Sequence, residues 1–148
     1  MENKKEKLED FKTAISSTVR SLSNSQEIEI SFGNQAIKSS KNSIRLPDLE
    51  QGSNKLNYEK IRAIADSKSL NLRFSDIKTL KKYEPEGNIS KKLYSISEKI
   101  RCEKIGTSYF KGVKKNIEKY YYKRLSGLDL KSSEDKIAES FENLSLIH

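Results

Sequence analysis

The stretch from Tyr94 to Asn116 limits the possible folds more than any other part of this 148-residue chain. Apolar residues recur through its first half at intervals of three and four, which predicts an amphipathic helix. Gly106 follows this pattern and is expected to end the helix as its left-handed residue. A second apolar pattern then begins at Phe110. The stretch therefore predicts two helices joined by a short link, packed antiparallel or steeply crossed.

Two further features of this predicted hairpin need a structural reason. Thr107 or Ser108 is expected to cap the second helix, because a hydroxyl oxygen can accept a hydrogen bond from a free backbone N–H. Gly112 lies inside the second helix, where glycine is about 1 kcal/mol less favourable than alanine. We expect Gly112 to mark a close approach of another backbone, and Gly106 and Gly112 are therefore our candidate structural residues.

The rest of the chain is predicted to form further helices and a small β ribbon. The predicted fold class is mainly α (α+β), a helical domain of about five to six helices with a two-stranded ribbon. Residues 1–125 are expected to form the helical domain, and residues 126–148 a C-terminal tail with a weak helix. The segment Leu70–Phe74 is ambiguous between strand and helix. The predicted strands are Gln26–Phe32 and Ser43–Leu46. The predicted helices run from about Lys5 to Leu22, from a cap at Asn57 to Lys68 or Leu72, from a cap at Ser75 or Asp76 to Tyr83, from Asn88 or Ser90 to Ile105, and from a cap at Thr107 or Ser108 to Leu125.

Composition narrows the function classes. The net charge of +8 comes mostly from lysine and favours anionic partners, although an AT-rich genome would also place lysine at solvated positions. A single cysteine, Cys102, excludes an internal disulfide and a cysteine-based zinc site. His148 is the only histidine, which argues against a histidine-dependent triad. We expect a cytoplasmic protein without a membrane span, because no apolar run approaches the ~20 residues that a span needs.

The charged residues of the hairpin allow more than one interpretation. Glu98 and Arg101 share a helix face, whereas Glu103 lies roughly 140° away from Glu98, so the two carboxylates cannot converge from one straight helix. Surface charges are the simpler interpretation, and we expect no catalytic, cofactor-binding or metal-binding residue. A nucleic-acid interface is the alternative, based on basic residues near aromatic ones: Lys111, Lys114, Lys115, Lys119, Lys123 and Arg124 beside Tyr120, Tyr121 and Tyr122.

The order and spacing of several motifs, from about Phe11 to Leu125, resemble a known family. The most specific combination is Glu98, Arg101 and Glu103 before Ile105-Gly106, followed by Gly112-Val113 and Asn116. The chain resembles the N-terminal domain of the CobT subunit of aerobic cobaltochelatase. The other matching residues are the strand Glu27–Phe32, Arg45-Leu46-Pro47, Arg62, Ala65-Asp66, Ser69-Leu70, Leu72, Pro85-Glu86-Gly87, and Tyr94 where the family tends to have Phe.

This resemblance implies a function. The family is one part of an ATP-dependent machine that inserts Co²⁺ into a corrin precursor during cobalamin synthesis. The expected partners are an AAA+ ATPase subunit and a large chelatase subunit, and nucleic acid is not expected. The complex uses ATP, Mg²⁺ and Co²⁺, but the resemblance does not place them on this domain. We expect a non-catalytic role in assembly and coupling.

The chain also departs from the family. Longer members add an acidic linker and a von Willebrand A-type domain, and we expect a fragment or a truncated member, because this chain ends before either. In the family, histidines lie near the aspartate that matches Asp76, whereas in this chain the neighbouring positions are Ser75 and Leu80. The remaining matches lead to the hypothesis of a buried or half-buried polar cluster or docking set. Its candidate members are Arg62, Asp66, Glu98, Arg101, Glu103 and Asn116.

Overall fold

The computed structural model describes residues 2–37, 42–49, 55–126 and 133–147. Within these ranges the chain forms six helices and one pair of strands, so the mainly helical fold class with a small β ribbon is confirmed. The chain divides into two compact units, Met1–Ser69 and Leu70–His148. The predicted division at residue 125 stays a prediction. None of the described helices combines the length and the apolar character that crossing a membrane would require.

The first unit contains α1 (Glu2–Ser23), β1 (Glu29–Phe32), β2 (Ser43–Leu46) and the first part of α2 (Lys55–Phe74). The apolar residues that recur at helical spacing along α1 are buried at Ile15, Val19 and Leu22 and half-buried at Leu8 and Phe11. The ring of Phe11 meets Tyr58 of α2 edge to face, with the centroids 4.7 Å apart. Lys12 lies over the ring of Phe32 on β1. The buried apolar side chains of the unit include Ile15, Val19, Ile28, Ile44, Leu46, Ile61 and Ala65.

The two strands run parallel, with Ile30 beside Ile44 and Phe32 beside Leu46. β1 begins at Glu29, three residues later than predicted from the alternation. Gly33 follows β1 with a φ of +59°, a left-handed conformation that glycine adopts without strain, and its N–H donates to Leu46 O at 2.9 Å. This bond fixes the end of the ribbon.

The second unit contains the end of α2, then α3 (Ile77–Lys82), α4 (Asn88–Tyr109), α5 (Lys111–Leu125) and α6 (Ser133–Ile147). The ambiguous segment Leu70–Phe74 is the last part of helix α2. Asp76 caps α3, accepting from the backbone N–H of Lys78 and from the hydroxyl of Thr79. The short helix and its cap agree with the sequence prediction.

The final helix, α6, packs against α4. The face in contact is not the one on which its apolar residues lie. Glu142 and Asn143 are buried together with Ala138, whereas Ile137 and Phe141 are exposed. The apolar pattern predicts that a helix forms here, and it does. Its buried face is nevertheless largely polar, because α4 and α5 supply charged partners for Glu142.

Candidate functional site

The helical hairpin exists, but its link differs from the prediction. Helix α4 continues through Gly106 to Tyr109, and Phe110 alone separates it from α5. Gly106 is therefore not the residue that ends the helix. Thr107 and Ser108 are not caps of the second helix either, because their hydroxyls donate back to carbonyl oxygens within α4. No side chain caps α5 at Phe110.

The structure corrects the predicted role of each hairpin glycine. A Cβ at Gly106 would lie 2.8 Å from Leu70 Cγ and closer still to its methyl groups. Gly106 is therefore the glycine that allows a close approach, since Leu70 occupies the space of its missing side chain. A Cβ at Gly112 would have no described atom within 4 Å other than those of its chain neighbours and of the backbone of its own helix. The predicted close contact at Gly112 is wrong within this part of the chain.

Arg101 joins helix α4 to the end of α2. Its guanidinium donates two hydrogen bonds of 2.7 Å to the carboxylate of Glu98 and one of 2.7 Å to Phe74 O. The Ser75 hydroxyl donates to the same carboxylate at 2.7 Å. We call Phe74, Ser75, Glu98 and Arg101 the arginine clamp. Because Phe74 is the last residue of α2, its carbonyl has no partner within the helix, and Arg101 supplies one.

The charges of the clamp depend on each other. The hydrogen bond from Arg101 lowers the pKa of Glu98, and Ser75 adds to this effect. The Glu98 carboxylate in turn raises the pKa of Arg101. Cys102 lies beside the pair and is fully buried. Burial, together with the nearby Glu98 charge, raises the pKa of the Cys102 thiol to about 11. This cysteine is therefore protonated at neutral pH and is a poor nucleophile.

Glu103 lies in a second polar set, between α4, α5 and α6. Its side chain is only 2% exposed. The Tyr121 hydroxyl is 3.1 Å from both oxygens of Glu103 and 3.1 Å from Glu142 Oε1. We call Glu103, Tyr121 and Glu142 the tyrosine bridge. A phenol has one proton, so the two carboxylates compete for it. Burial and the two neighbouring carboxylates raise the pKa of Tyr121 far above its usual range.

Two cations complete the tyrosine bridge at its edge. Lys99 donates to Glu142, and Arg124 donates to Glu142 Oε2 at 2.9 Å and to Glu139 at 3.2 Å. Burial opposes the ionisation of Glu142, but hydrogen bonds and charge from Lys99, and charge from Arg124, outweigh it and lower its pKa. Burial also disfavours the charged form of Arg124, yet Glu142 raises its pKa overall. Glu142 is therefore held as a paired anion.

The predicted cluster has three further candidate members, Arg62, Asp66 and Asn116. Arg62 and Asp66 belong to the first unit, where Arg62 is exposed and Asp66 is 1% exposed. Asn116 is half-buried on α5. The structure thus brings Glu98 and Arg101 into one set of contacts and Glu103 into another. The proposed cluster of all six residues stays a prediction.

The aromatic and basic residues that suggested a nucleic-acid interface do not all face outward. Tyr121 is buried in the tyrosine bridge, and Arg124 is paired with Glu139 and Glu142. Tyr122 alone of the three tyrosines is strongly exposed, at 79%. A platform for stacking several bases is therefore missing from this helix.

A groove of about 590 Å³ runs between α4 and α5. Glu103 and Tyr121 belong to its lining, so the tyrosine bridge lies at the base of a solvent-facing surface. Among the described residues, no three or more His, Cys, Asp or Glu side chains are grouped so that they could hold a metal ion. The other lining residues are Lys104, Thr107, Ser108, Lys114, Ile117, Glu118, Tyr122 and Leu125.

Sequence reasoning identified Glu103 but missed its partners on other elements. In the sequence, Tyr121 belongs to the aromatic residues of the nucleic-acid alternative, and nothing singles out Lys99 or Glu142. The available signal was the pairing of a weak apolar pattern in α6 with two glutamates three residues apart, Glu139 and Glu142. That signal is also typical of a solvated helix face, so it does not identify the contact.

The fold and the two polar sets describe a class of protein: a helical domain in which two sets of polar and charged side chains join its own helices. A family model described as cobalamin biosynthesis protein CobT matches residues 5–142. Since this match covers most of the chain, the chain belongs to the CobT family and has a role in cobalamin biosynthesis. No solved structure matches the chain.

Proposed function

We propose that this chain is a non-catalytic component of aerobic cobaltochelatase, which supports Co²⁺ insertion into a corrin precursor by assembly and coupling. The observation that carries the proposal is the family match over residues 5–142. In this proposal the AAA+ ATPase subunit and the large chelatase subunit are the partners. ATP, Mg²⁺ and Co²⁺ are used by the complex and are not bound by this domain, and the complex works in the cytoplasm.

The internal pairing of the charged residues supports a role in assembly. Glu142 and Arg124 are engaged by side chains from neighbouring helices, and Glu98 accepts a hydrogen bond from Ser75, which directly follows α2. Cys102 is buried and protonated. Such groups stabilise a defined arrangement of helices, and a docking subunit needs a defined surface to present to its partners.

Co-expression with the two partner subunits tests the proposal. The tagged chain is expected to retain the AAA+ subunit or the large subunit on an affinity column, and to restore cobalt insertion in a strain that lacks the CobT subunit. An Arg124→Ala variant is expected to weaken both results together, because it leaves Glu142 with one cation fewer. Failure of the wild-type chain both to associate and to complement would contradict the proposal.

A further inference from the structure

The hydrogen bonds between the two strands of the ribbon fix which backbone groups point outward. The N–H of Glu29 donates to Asn42 O at 3.1 Å, and that of Gly33 donates to Leu46 O at 2.9 Å. With Glu29 beside Ser43 in the register, the odd-numbered residues of β1 and the even-numbered residues of β2 direct their N–H and C=O groups toward each other. Successive residues of a strand alternate in this direction. The other residues of each strand therefore direct their backbone groups away from the ribbon.

The outer edge of β1 is already occupied at its end. Phe32 is one of the residues whose backbone groups point outward there. Its N–H donates to Gln35 Oε1 at 3.1 Å, and its C=O accepts from the N–H of Gln35 at 3.3 Å. Gln35 therefore takes the place that a residue of a third strand would occupy.

The outer edge of β2 has no such partner within the described chain. Ser43 and Arg45 direct their N–H and C=O groups away from β1, and none of these four groups forms a hydrogen bond with another described residue. Ser43 is half-buried and Arg45 is exposed, so this strand lies at the surface of the first unit. Pro47 follows β2 and has no N–H. We call Ser43 and Arg45 the open edge.

The side chains of β2 give the open edge a charged face and an apolar face. The guanidinium of Arg45 donates to Gln35 O at 3.3 Å, and no carboxylate of the described chain forms an ion pair with it. Ile44 and Leu46 lie on the opposite face and are 3% and 1% exposed. A strand added at this edge would therefore lie beside a cation on one face and beside the apolar core on the other.

We propose that the open edge binds an extended segment of a partner protein as a third, antiparallel strand. An extended chain spaces its N–H and C=O groups to match those of Ser43 and Arg45. In an antiparallel pair, two residues that exchange both hydrogen bonds have their side chains on the same face. The residue opposite Arg45 is therefore expected to be acidic, and its neighbours along the segment, on the side of Ile44 and Leu46, to be apolar.

Charge favours a partner protein over a second copy of the chain. Two β2 strands paired antiparallel through their open edges would place both Arg45 side chains on one face, opposite or diagonal to each other. Like charges at that distance repel, and each copy carries a net charge of +8. An acidic segment avoids this repulsion and supplies Arg45 with a carboxylate.

The experiment uses the full chain and a synthetic probe. The probe is a fluorescent peptide of about seven residues, a typical strand length, in which valine and glutamate alternate. Two control peptides carry backbone N-methyl groups, one on its glutamates and the other on its valines. In the antiparallel arrangement the glutamate N–H groups point to β2, so methylation there is expected to weaken binding about tenfold, and methylation of the valines less than about threefold. No binding of the unmethylated probe, or equal binding of the two methylated peptides, would overturn the proposal.

Amide hydrogen exchange identifies the bound edge. In the free protein the N–H groups of Ile44 and Leu46 are expected to exchange slowly, because they donate to β1, whereas those of Ser43 and Arg45 exchange fast. Saturating peptide is expected to slow exchange at Ser43 and Arg45 about tenfold. Peptide binding that leaves these two amides unchanged would overturn the proposal. Protection that rises with protein concentration in the absence of peptide would make a second copy the occupant and overturn it as well.

Matched charge reversals test the role of Arg45. Arg45→Glu is expected to weaken peptide binding about tenfold, because it places carboxylates beside each other across the two strands. Lys60→Glu makes the same change in net charge at an exposed position of α2, in the same unit, and is expected to stay within about twofold of wild type. Equal losses in the two variants would show that only net charge attracts the peptide, and would overturn the assignment of the edge.

Ser43→Pro removes one backbone donor of the open edge. Proline is tolerated on an edge strand where the N–H points away from the sheet, so thermal stability is expected to be retained while peptide affinity falls about tenfold. Ser43→Ala keeps the N–H and is expected to bind the peptide as the wild type does. Unchanged affinity of a folded Ser43→Pro variant would overturn the proposal. The methylated peptides probe the same hydrogen bonds without altering the protein, so the test does not depend on this variant alone.

The natural occupant rests on the proposed function, which makes it an extended segment of a chelatase subunit. Peptide binding at the open edge, in a chain that neither associates with the chelatase subunits nor complements, would contradict the proposed function and leave the edge site intact. Association with the chelatase subunits that survives both Arg45→Glu and Ser43→Pro unchanged would leave the proposed function intact and overturn the assignment of the natural occupant.

Discussion

Tyr121 shows how one hydroxyl can hold two buried carboxyl groups in place. It lies within hydrogen-bond distance of Glu103 and Glu142, which come from two different helices. Buried polar groups need partners, because desolvation without a hydrogen bond is costly. The tyrosine bridge therefore links α4, α5 and α6 through a single side chain, and its strength depends on the proton that Tyr121 carries.

Removing the Tyr121 hydroxyl should destabilise the protein in a pH-dependent way. Tyr121→Phe is expected to lower the free energy of unfolding at pH 8 by about 1.5–3 kcal/mol, the range for hydrogen bonds to charged groups. Native Tyr121 keeps its proton where an unfolded tyrosine loses it, since its pKa is raised. This contribution is fully present below pH ~10 and is lost as pH rises above it, by about 1.4 kcal/mol per unit.

Urea unfolding of both proteins between neutral pH and pH ~11 would measure this effect. The gap in stability between wild type and Tyr121→Phe should narrow above the ordinary pKa of tyrosine. The control is Tyr122→Phe, which changes the same atoms on the exposed face of the same helix. A gap that stays constant across the whole range would show that Tyr121 does not hold its proton more tightly when folded.

At the scale of the helices, Gly106 and Gly112 form a natural comparison. They lie on neighbouring helices six residues apart, and differ in what surrounds the absent side chain. Leu70 fills the space at Gly106, and open space surrounds Gly112 within the described chain. The same substitution should therefore have opposite effects at the two positions.

Gly106→Ala is expected to destabilise the protein by about 1–3 kcal/mol, because the new methyl overlaps Leu70 and forces it to move. Gly112→Ala is expected to stabilise it by up to about 1 kcal/mol, the helix-propensity difference alone. Urea denaturation of the two variants and the wild type would measure both changes in the free energy of unfolding. Shifts of the same sign in the two variants would contradict the packing at Gly106.

These glycines also show where sequence-based prediction succeeds and where it ends. The period of apolar residues correctly predicts that α1, α4 and α5 are helices, because a helix that buries one face carries apolar residues at intervals of three and four. The end of α4 is different, since a glycine after a periodic run fits both a stop and a buried interior position. The choice depends on Leu70, which is distant in sequence and approaches only in the fold.

At the scale of the whole molecule, the net charge of +8 opposes the compact state through self-repulsion. Added salt screens this repulsion, whereas the partly buried pair of Arg124 with Glu142 is screened much less. The melting temperature is therefore expected to rise by about 2–5 °C between low and moderate ionic strength. Differential scanning fluorimetry in sodium chloride would measure it.

A Lys111→Glu/Lys115→Glu variant provides the control for this salt effect. Each Lys→Glu substitution lowers the net charge by two units, so the double variant has half the net charge of the wild-type chain. Its melting temperature should respond less steeply to salt than that of the wild type. A melting temperature that falls with salt in both proteins would mean that exposed ion pairs stabilise the folded state more than repulsion between like charges destabilises it.

The candidate site was less predictable from the sequence than the fold. The pairing of Glu98 with Arg101 follows from their spacing on one helix, and the structure contains it. The contacts of Glu103 with Tyr121 and of Tyr121 with Glu142 join three helices that the sequence does not order in space. Local periodicity describes helix faces, but the partner of each face is decided by packing.

The parallel pairing of β1 and β2 has a mechanical consequence. Tension that enters through the chain before β1 and leaves through the chain after β2 pulls the two strands in opposite directions along their length. The hydrogen bonds between Glu29–Phe32 and Ser43–Leu46 are then loaded together in shear. An antiparallel hairpin of the same length would be pulled apart one bond at a time from its open end. The ribbon is therefore built to resist extension of the chain.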